Sequence, residues 1–236
     1  MEAAQRGARS GVWIAEEQTG GRGRGGHGWH SAWGEGLYVS ALVAPGVAAS
    51  RAMWISLATA LAASSAISEA GGASADIRWP NDLLVNGMKC GGILVESAIA
   101  AGETEASENL RYAVIGVGIN VNHESFPESL RGVATSLRMA VGRPIDREAL
   151  LVSLLRGLEN ELARLGAEQA GELTGPGLLE RFMAASTWTL GKHVRVGEGD
   201  GYTGVTAGLS PDGFLRVEAD DGTERTVRSG GVRAVT

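Results

Sequence analysis

Cysteine occurs once in the 236 residues, at Cys90, so no intrachain disulfide framework is possible and the chain suits a reducing, cytoplasmic setting. Basic residues are outnumbered, 21 against 27 acidic, for a net charge of -6 and a pI near 5.3. That balance argues against bulk nucleic-acid binding, which needs a basic face to neutralise phosphates. There is no long uninterrupted apolar run. The most apolar stretch, residues 47–67, is broken by Ser50, Arg51, Ser56, Thr59, Ser64 and Ser65 and reads as a buried helix rather than a membrane span. The first residues, Met1-Glu2-Ala3-Ala4-Gln5-Arg6, lack the charged-then-apolar pattern of a secretory signal. His27, His30, His123 and His193 show no metal-ligand spacing, and no Gly-x-Ser-x-Gly nucleophile elbow is present. Internal repeats and heptad seams are absent too.

Acids are also missing locally. No Asp or Glu falls between Gln18 and Gly34, although the chain as a whole is acidic. Within residues 18–31 lie six glycines, two arginines and two histidines. Such a segment cannot pack as a helix or central strand, but its backbone N–H groups and guanidinium forks can wrap an anion. The reading is a mobile loop that orders over a negatively charged ligand; the alternative is a surface linker. Gly21-Arg22-Gly23-Arg24-Gly25-Gly26 spells G-x-G-x-x-G, but a strand pattern comes after it where a dinucleotide fold needs a helix. No Gly-Lys-Ser/Thr succeeds the glycines, so a P-loop is excluded as well.

With 44% hydrophobic residues, the chain can build one ordinary domain and a small second one without staples. Strands are expected at 12–15, 36–43, 76–79, 83–85, 89–96 and 112–120, the last a central strand. Asn86-Gly87 is a strong hairpin signal. Helices are expected over 47–69, ended by Gly71-Gly72, over 146–165 with Asp146 as N-cap, and over 177–185. Residues 1–9 read as the tail of a helix and 100–109 as an acidic surface loop. After about residue 187, five short strands (193–196, 202–207, 215–219, 223–227 and 232–235) separated by Gly- and Asp-containing turns predict a small β-barrel. This places a domain boundary near Ser186, giving 1–186 and 187–236.

Three further patches carry chemistry. Arg78-Trp79-Pro80-Asn81-Asp82 ends a strand with a free amide and a carboxylate. Asp82 could hold a divalent cation or accept a proton from an amine, and the pair would equally suit an Asx-type turn. Lys89, before Cys90-Gly91-Gly92, could act as a point charge on a phosphate or carboxylate, or simply guard a strand edge. Cys90 has no dedicated base and reads as a small buried hydrophobe. In Gly116-Val117-Gly118-Ile119-Asn120 the glycines imply that backbone or ligand packs close, and Asn120 could hydrogen-bond a base or ribose.

Together these patches resemble the biotin–protein ligases. The family loop Gln-Thr-x-Gly-Arg-Gly-Arg is Gln18-Thr19-Gly20-Gly21-Arg22-Gly23-Arg24 here, with Trp29 and Ser31 after it. Its Lys/Arg-Trp-Pro-Asn-Asp-Leu is Arg78 to Leu83, and its Lys-x-x-Gly-Ile-Leu-x-Glu runs from Lys89 to Glu96. Its Gly-x-Gly-Ile-Asn is Gly116 to Asn120, and Ser229-Gly230-Gly231-Val232 resembles its C-terminal domain. The resemblance implies an α+β fold: a mixed sheet flanked by helices, as in class II synthetases, with a small SH3-like barrel. It implies activation of biotin by ATP and Mg²⁺ to biotinyl-5′-adenylate, then transfer to a lysine of a biotin carboxyl carrier domain. By the same resemblance Arg24, Lys89 and Asp82 are catalytic. Gln18, Arg22, Gly23, Arg24, Lys89 and Gly92 contact biotin. Arg24, His27, Trp29, Asn81, Asp82, Lys89 and Asn120 contact ATP or the adenylate, and Asp82 takes Mg²⁺.

Two departures from the family stand out. No Ser-Thr-Asn precedes Gln18, and Gly25-Gly26-His27 stands where further arginines are usual, which should weaken pyrophosphate contacts. No winged-helix region precedes the catalytic motifs, so no DNA binding is expected; no membrane partner is expected either, since no stretch is apolar enough to span, and the protein reads as a monomer or homodimer. Two alternative readings remain. One is a non-catalytic relative that binds adenylate or carrier; the other is a lipoate or octanoyl transferase on the same fold.

Overall fold

The computed structural model describes residues 2–26, 28–99, 109–197, 199–228 and 231–235. His27, Ser229, Gly230 and nearly all of the stretch 100–109 lie outside the described residues. Six strands form the main sheet: β1 (Gly11–Ala15), β2 (Gly36–Val43), β3 (Asp76–Arg78), β4 (Asp82–Val85), β5 (Met88–Ile99) and β6 (Leu110–Asn120), in the order β1-β2-β6-β5-β4-β3. Every pairing is antiparallel, so the sheet is not the mixed one expected. A parallel pair needs a crossover that sets the next strand beside the last. Here the helical connection after β2 delivers β3 to the far edge instead.

Alternation of side chains gives the sheet two unlike faces. On one, Leu37, Val39, Ala41, Ile93, Ala113, Ile115, Val117 and Ile119 join the main core with the helices α2 (Ala52–Ala66) and α4 (Arg147–Ala170). α2 is buried on nearly every side because it lies between the sheet and α4, which its many alanines permit. It runs into a π-turn, Ile67–Gly71, and stops at Gly72 with φ 70°, one residue beyond the first expected glycine. α4 starts where Asp146 Oδ1 accepts from the N–H groups of Glu148 and Ala149 at 2.9 and 3.1 Å, and it buries Leu150, Leu154, Leu158 and Leu165.

The opposite face is less uniform. Leu42 and Tyr112 pack under Ala4 of the short helix α1 (Glu2–Gln5). Further along come Gly116 and Gly118. Antiparallel register lines up Tyr38, Gly118, Gly92, Asp82 and Arg78 in one row across β2, β6, β5, β4 and β3. The hairpin between β4 and β5 turns through Asn86 and Gly87, both at positive φ, 53° and 76°, as a tight right-twisted connection requires. A further helix, α3 (Leu137–Val141), has no counterpart among the expected elements; Ser136 caps it by accepting from Met139 N–H at 3.0 Å.

After α5 (Leu178–Ala185), strands β7 (Leu190–Val196), β8 (Tyr202–Leu209), β9 (Leu215–Ala219), β10 (Glu224–Val227) and β11 (Val232–Ala234) form a five-stranded antiparallel sheet, order β10-β9-β8-β7-β11. One of its turns packs against α2 and the chain just after β3. The indole of Trp54 donates to Pro211 O at 3.1 Å, and that of Trp79 to Gly213 O at 2.9 Å. Ser186 Oγ donates to Ile77 O at 2.6 Å. Gly213 sits at φ 87°, and a Cβ there would meet Leu57 Cδ1 at 2.9 Å. Gly222, at φ 81°, has open space around it. Gly213→Ala should therefore lose about 1–3 kcal/mol in denaturant unfolding, clearly more than Gly222→Ala, which suffers only the backbone strain. Equal losses would show that the turn is not a tight joint.

Candidate active site

The row of register residues sets the site. Two glycines in its middle leave a strip of sheet without side chains, and the Trp29 indole fills that strip. A Cβ on Gly118 would lie 2.8 Å from Trp29 Cε2, and one on Gly92 3.3 Å from Trp29 Cζ3. Glycine is required at Gly118 by this close approach. Trp29 Nε1 is buried without a hydrogen-bond partner among the described residues.

Charge gathers at the end of the row. Asp82 Oδ2 accepts from Arg78 Nη2 at 2.7 Å and Nε at 3.1 Å, and Oδ1 pairs with Lys89 Nζ. Burial alone would raise the Asp82 carboxyl, but Lys89 and Arg78 outweigh it and hold the group below the usual carboxylate range. Lys89, one of only two lysines in the chain, also lies 5.6 Å from the Trp29 ring centroid. Its backbone is fixed from the far side: Lys89 N–H donates to Val133 O at 3.0 Å, and Thr135 N–H to Lys89 O at 2.9 Å. Arg24 reaches the same corner, its Nη1 donating to Asn81 Oδ1 at 3.2 Å. Burial lowers its guanidinium pKa, and the nearby Asp82 offsets part of that.

The loop 18–31 is stitched to itself. Gln18 N–H donates to Ser31 Oγ at 2.7 Å, Ser31 Oγ to Gln18 O at 3.0 Å, and Trp29 N–H to Gly21 O at 2.9 Å. Its two arginines diverge. Arg24 joins Asn81, whereas Arg22 is largely exposed, 3.8 Å from Glu96. Gly23 lies between them, and the Gln18 backbone serves as the loop's staple. Asn120 is buried and donates to Thr135 O at 3.1 Å. Thus Arg24, Trp29, Asn81, Asp82, Lys89 and Gly92 come together, while Gln18 and Arg22 stand apart from that cluster. His27 is outside the described residues. Cys90 is no nucleophile: burial pushes its thiol up to about 12.

Three features are not evident from the sequence. Arg78 stands there only as one letter of a motif, yet it is a main partner of Asp82. Segment 133–135 braces Lys89 by a backbone bridge with no sequence signature. His123, fully buried, stacks on Phe126 (5.1 Å, 10°), with His30 5.8 Å away. Neither ring nitrogen of His123 has a described partner.

Three cations around one carboxylate, beside a side-chain-free strip and an indole, make an anion site with a flat apolar neighbour. The Biotin/lipoate A/B protein ligase family matches residues 6–120, and the Biotin protein ligase C terminal domain matches 189–232. These two regions, in this order, are what the chain shares with biotin protein ligases. It is 34% identical over 216 residues to the Bifunctional ligase/repressor BirA of Bacillus subtilis, covering 90% of this chain and 62% of that one. It is 34% identical over 190 residues to the Biotin--[acetyl-CoA-carboxylase] ligase of Mycobacterium tuberculosis, covering 78% and 64%. The chain thus spans less than two thirds of the length of these relatives. The biotin protein ligase of Aquifex aeolicus in complex with biotin and ATP superposes with a TM-score of 0.75 at 27% identity, over 95% of this chain and 89% of that one. Among the described residues no helix is long and apolar enough to cross a membrane.

The buried histidine has a pH consequence. Burial, aided by His30, lowers His123 from 6.5 to about 4. The unfolded imidazole takes up a proton below about pH 6.5 that the folded one refuses until about pH 4. Stability is therefore full above that window and falls as pH drops through it, by about 3 kcal/mol. His123→Leu should flatten the decline in melting temperature between pH 6.5 and 4 relative to wild type. Parallel curves would show that the imidazole does not titrate differently on folding.

Proposed function

We propose that the protein is an ATP-dependent biotin ligase that makes biotinyl-5′-adenylate and transfers the biotinyl group to a lysine of a carrier domain. The observation that carries this reading is the row Gly118-Gly92-Asp82-Arg78 with Lys89 and Arg24 at its charged end. In the first step a biotin carboxylate oxygen attacks the α-phosphorus of ATP, and the bond to the pyrophosphate oxygen breaks. Both reactants are anions, so positive groups must screen them as they meet. Arg24 and Lys89 supply that charge. The glycine strip and the Trp29 ring offer the apolar wall for the bicyclic biotin, and the spare Trp29 N–H is a donor for bound ligand. Loop 18–31 excludes water and so protects the mixed anhydride.

In the second step the carrier amine attacks the acyl carbon and AMP leaves with the electron pair of the broken bond. Asp82, held ionised, accepts a hydrogen bond from that amine and orients it, and the proton the nitrogen sheds passes by way of Asp82 to solvent. Asn120 is assigned to the nucleotide side, with Gln18, Arg22 and Gly23 closing the loop around biotin. The residues present do not form a cage for Mg²⁺. Asp82 is a single carboxylate with both oxygens engaged, and no cluster of three metal-ligating side chains occurs among the described residues. Mg²⁺ belongs to the reaction as part of MgATP, the substrate. We assign residues 1–186 to this chemistry and 187–236 to a docked module. The carrier is a domain of a biotin-dependent carboxylase, and the location is cytoplasmic, in keeping with a reduced Cys90.

The test is incubation with ATP, biotin and an apo carrier domain, read by carrier mass. Wild type should add one biotinyl group only when ATP is present, and Lys89→Ala should slow adenylate formation by about 100-fold or more with little change in melting temperature. No ATP-dependent mass gain contradicts the proposal, and a gain with lipoate in place of biotin reassigns the substrate.

A further inference from the structure

The three cations of the site are held in two different ways. Lys89 and Arg78 are each paired with an oxygen of Asp82. Arg24 has no carboxylate within ion-pair distance among the described residues, and its hydrogen bond goes to an uncharged amide, Asn81 Oδ1 at 3.2 Å. That amide is itself locked. Asn81 is buried, 8% exposed. Its Nδ2 donates to Ile93 O at 2.7 Å, and its backbone O accepts from Ile93 N–H at 2.9 Å. Its backbone N–H donates to Arg78 O at 3.2 Å.

These contacts fix which way the amide faces. Turned over, it would set its oxygen against the Ile93 carbonyl and its NH₂ against a guanidinium, acceptor to acceptor and donor to donor. The Asn81 oxygen can therefore only face Arg24. A neutral acceptor orients a guanidinium without cancelling its charge, whereas a carboxylate in the same place would form an ion pair and neutralise it. The fold thus aims one arginine and keeps it charged for an incoming anion.

We infer that Asn81 is a positioning residue, acting through Arg24 and not by contact with the nucleotide. This departs from the direct ligand contact that the family resemblance implies for Asn81, and it rests on the proposed role of Arg24 in adenylate formation. The experiment is a double-mutant cycle on biotin-dependent pyrophosphate exchange, using wild type, Arg24→Ala, Asn81→Ala and the double variant, each checked for a cooperative melt. Asn81→Ala should lower kcat/KM about tenfold or more, since small misplacements of a charged group are costly. In the Arg24→Ala background the same change should cost less than about twofold. Asn81→Asp, nearly isosteric but charged, should be worse than Asn81→Ala, the reverse of the order for a residue that merely fills space. Multiplicative effects, or Asn81→Asp outperforming Asn81→Ala, overturn the inference. An Arg24→Ala variant with wild-type exchange instead removes the proposed role of Arg24, and absence of exchange in wild type removes the functional reading itself.

Discussion

Gly92 and Gly118 face one another across β5 and β6, and their two missing side chains shape the whole site. A sheet face without Cβ atoms can be approached to about van der Waals distance of its backbone. Trp29 uses that space, and through Trp29 the described part of loop 18–31 is drawn onto the sheet. The same register that opposes the glycines puts Asp82 next in the row and Arg78 after it. A slip of one residue would turn Asp82 into the core and bring Leu83 or Asn81 to the site. Register is therefore the condition for the charge cluster as well as for the core, and burial of Ile93, Val117 and Ile119 on the opposite face enforces it.

The cations illustrate how burial and charge are balanced. A buried carboxylate is costly unless it is paired, and Asp82 has two partners. Those partners are in turn prevented from repelling each other by the carboxylate between them. Arg24 is the exception, since an amide steadies it without matching its charge. The C-terminal sheet contributes at a distance, because its 211–213 turn takes the indole hydrogen of Trp79, two residues before Asn81. The strand end that carries Asn81 and Asp82 is thus gripped from both sides, by β5 and by the docked sheet.

Local features were legible in the residues. Asn86-Gly87 announced its hairpin because positive φ at both positions suits few other pairs, and Asp146 announced α4 because its carboxylate can satisfy N–H groups that a helix start leaves open. The glycines of β6 correctly implied a close approach, but not that the visitor was Trp29, about ninety residues away in sequence. Arg22 and Arg24 looked equivalent as letters. Only the fold separates them, sending one to Asn81 and the other to Glu96. The segment after β6 was the least legible. Its bracing of Lys89 runs through backbone groups of 133–135, which every residue has, and the burial of His123 depends on His30 arriving from the loop. The short α3 did carry a signal, Ser136 before it and Gly142 after it.

The central claim is that the glycine strip, Trp29 and the Arg24–Lys89 edge together form the ligand site. A crystal structure with a hydrolysis-resistant biotinyl-5′-adenylate analogue tests it most directly. The account requires the biotin rings against Gly92, Gly118 and the Trp29 indole, with the acyl-phosphate link within hydrogen-bond distance of Arg24 or Lys89. Analogue bound elsewhere on the molecule, with this strip and its cations untouched, would contradict it.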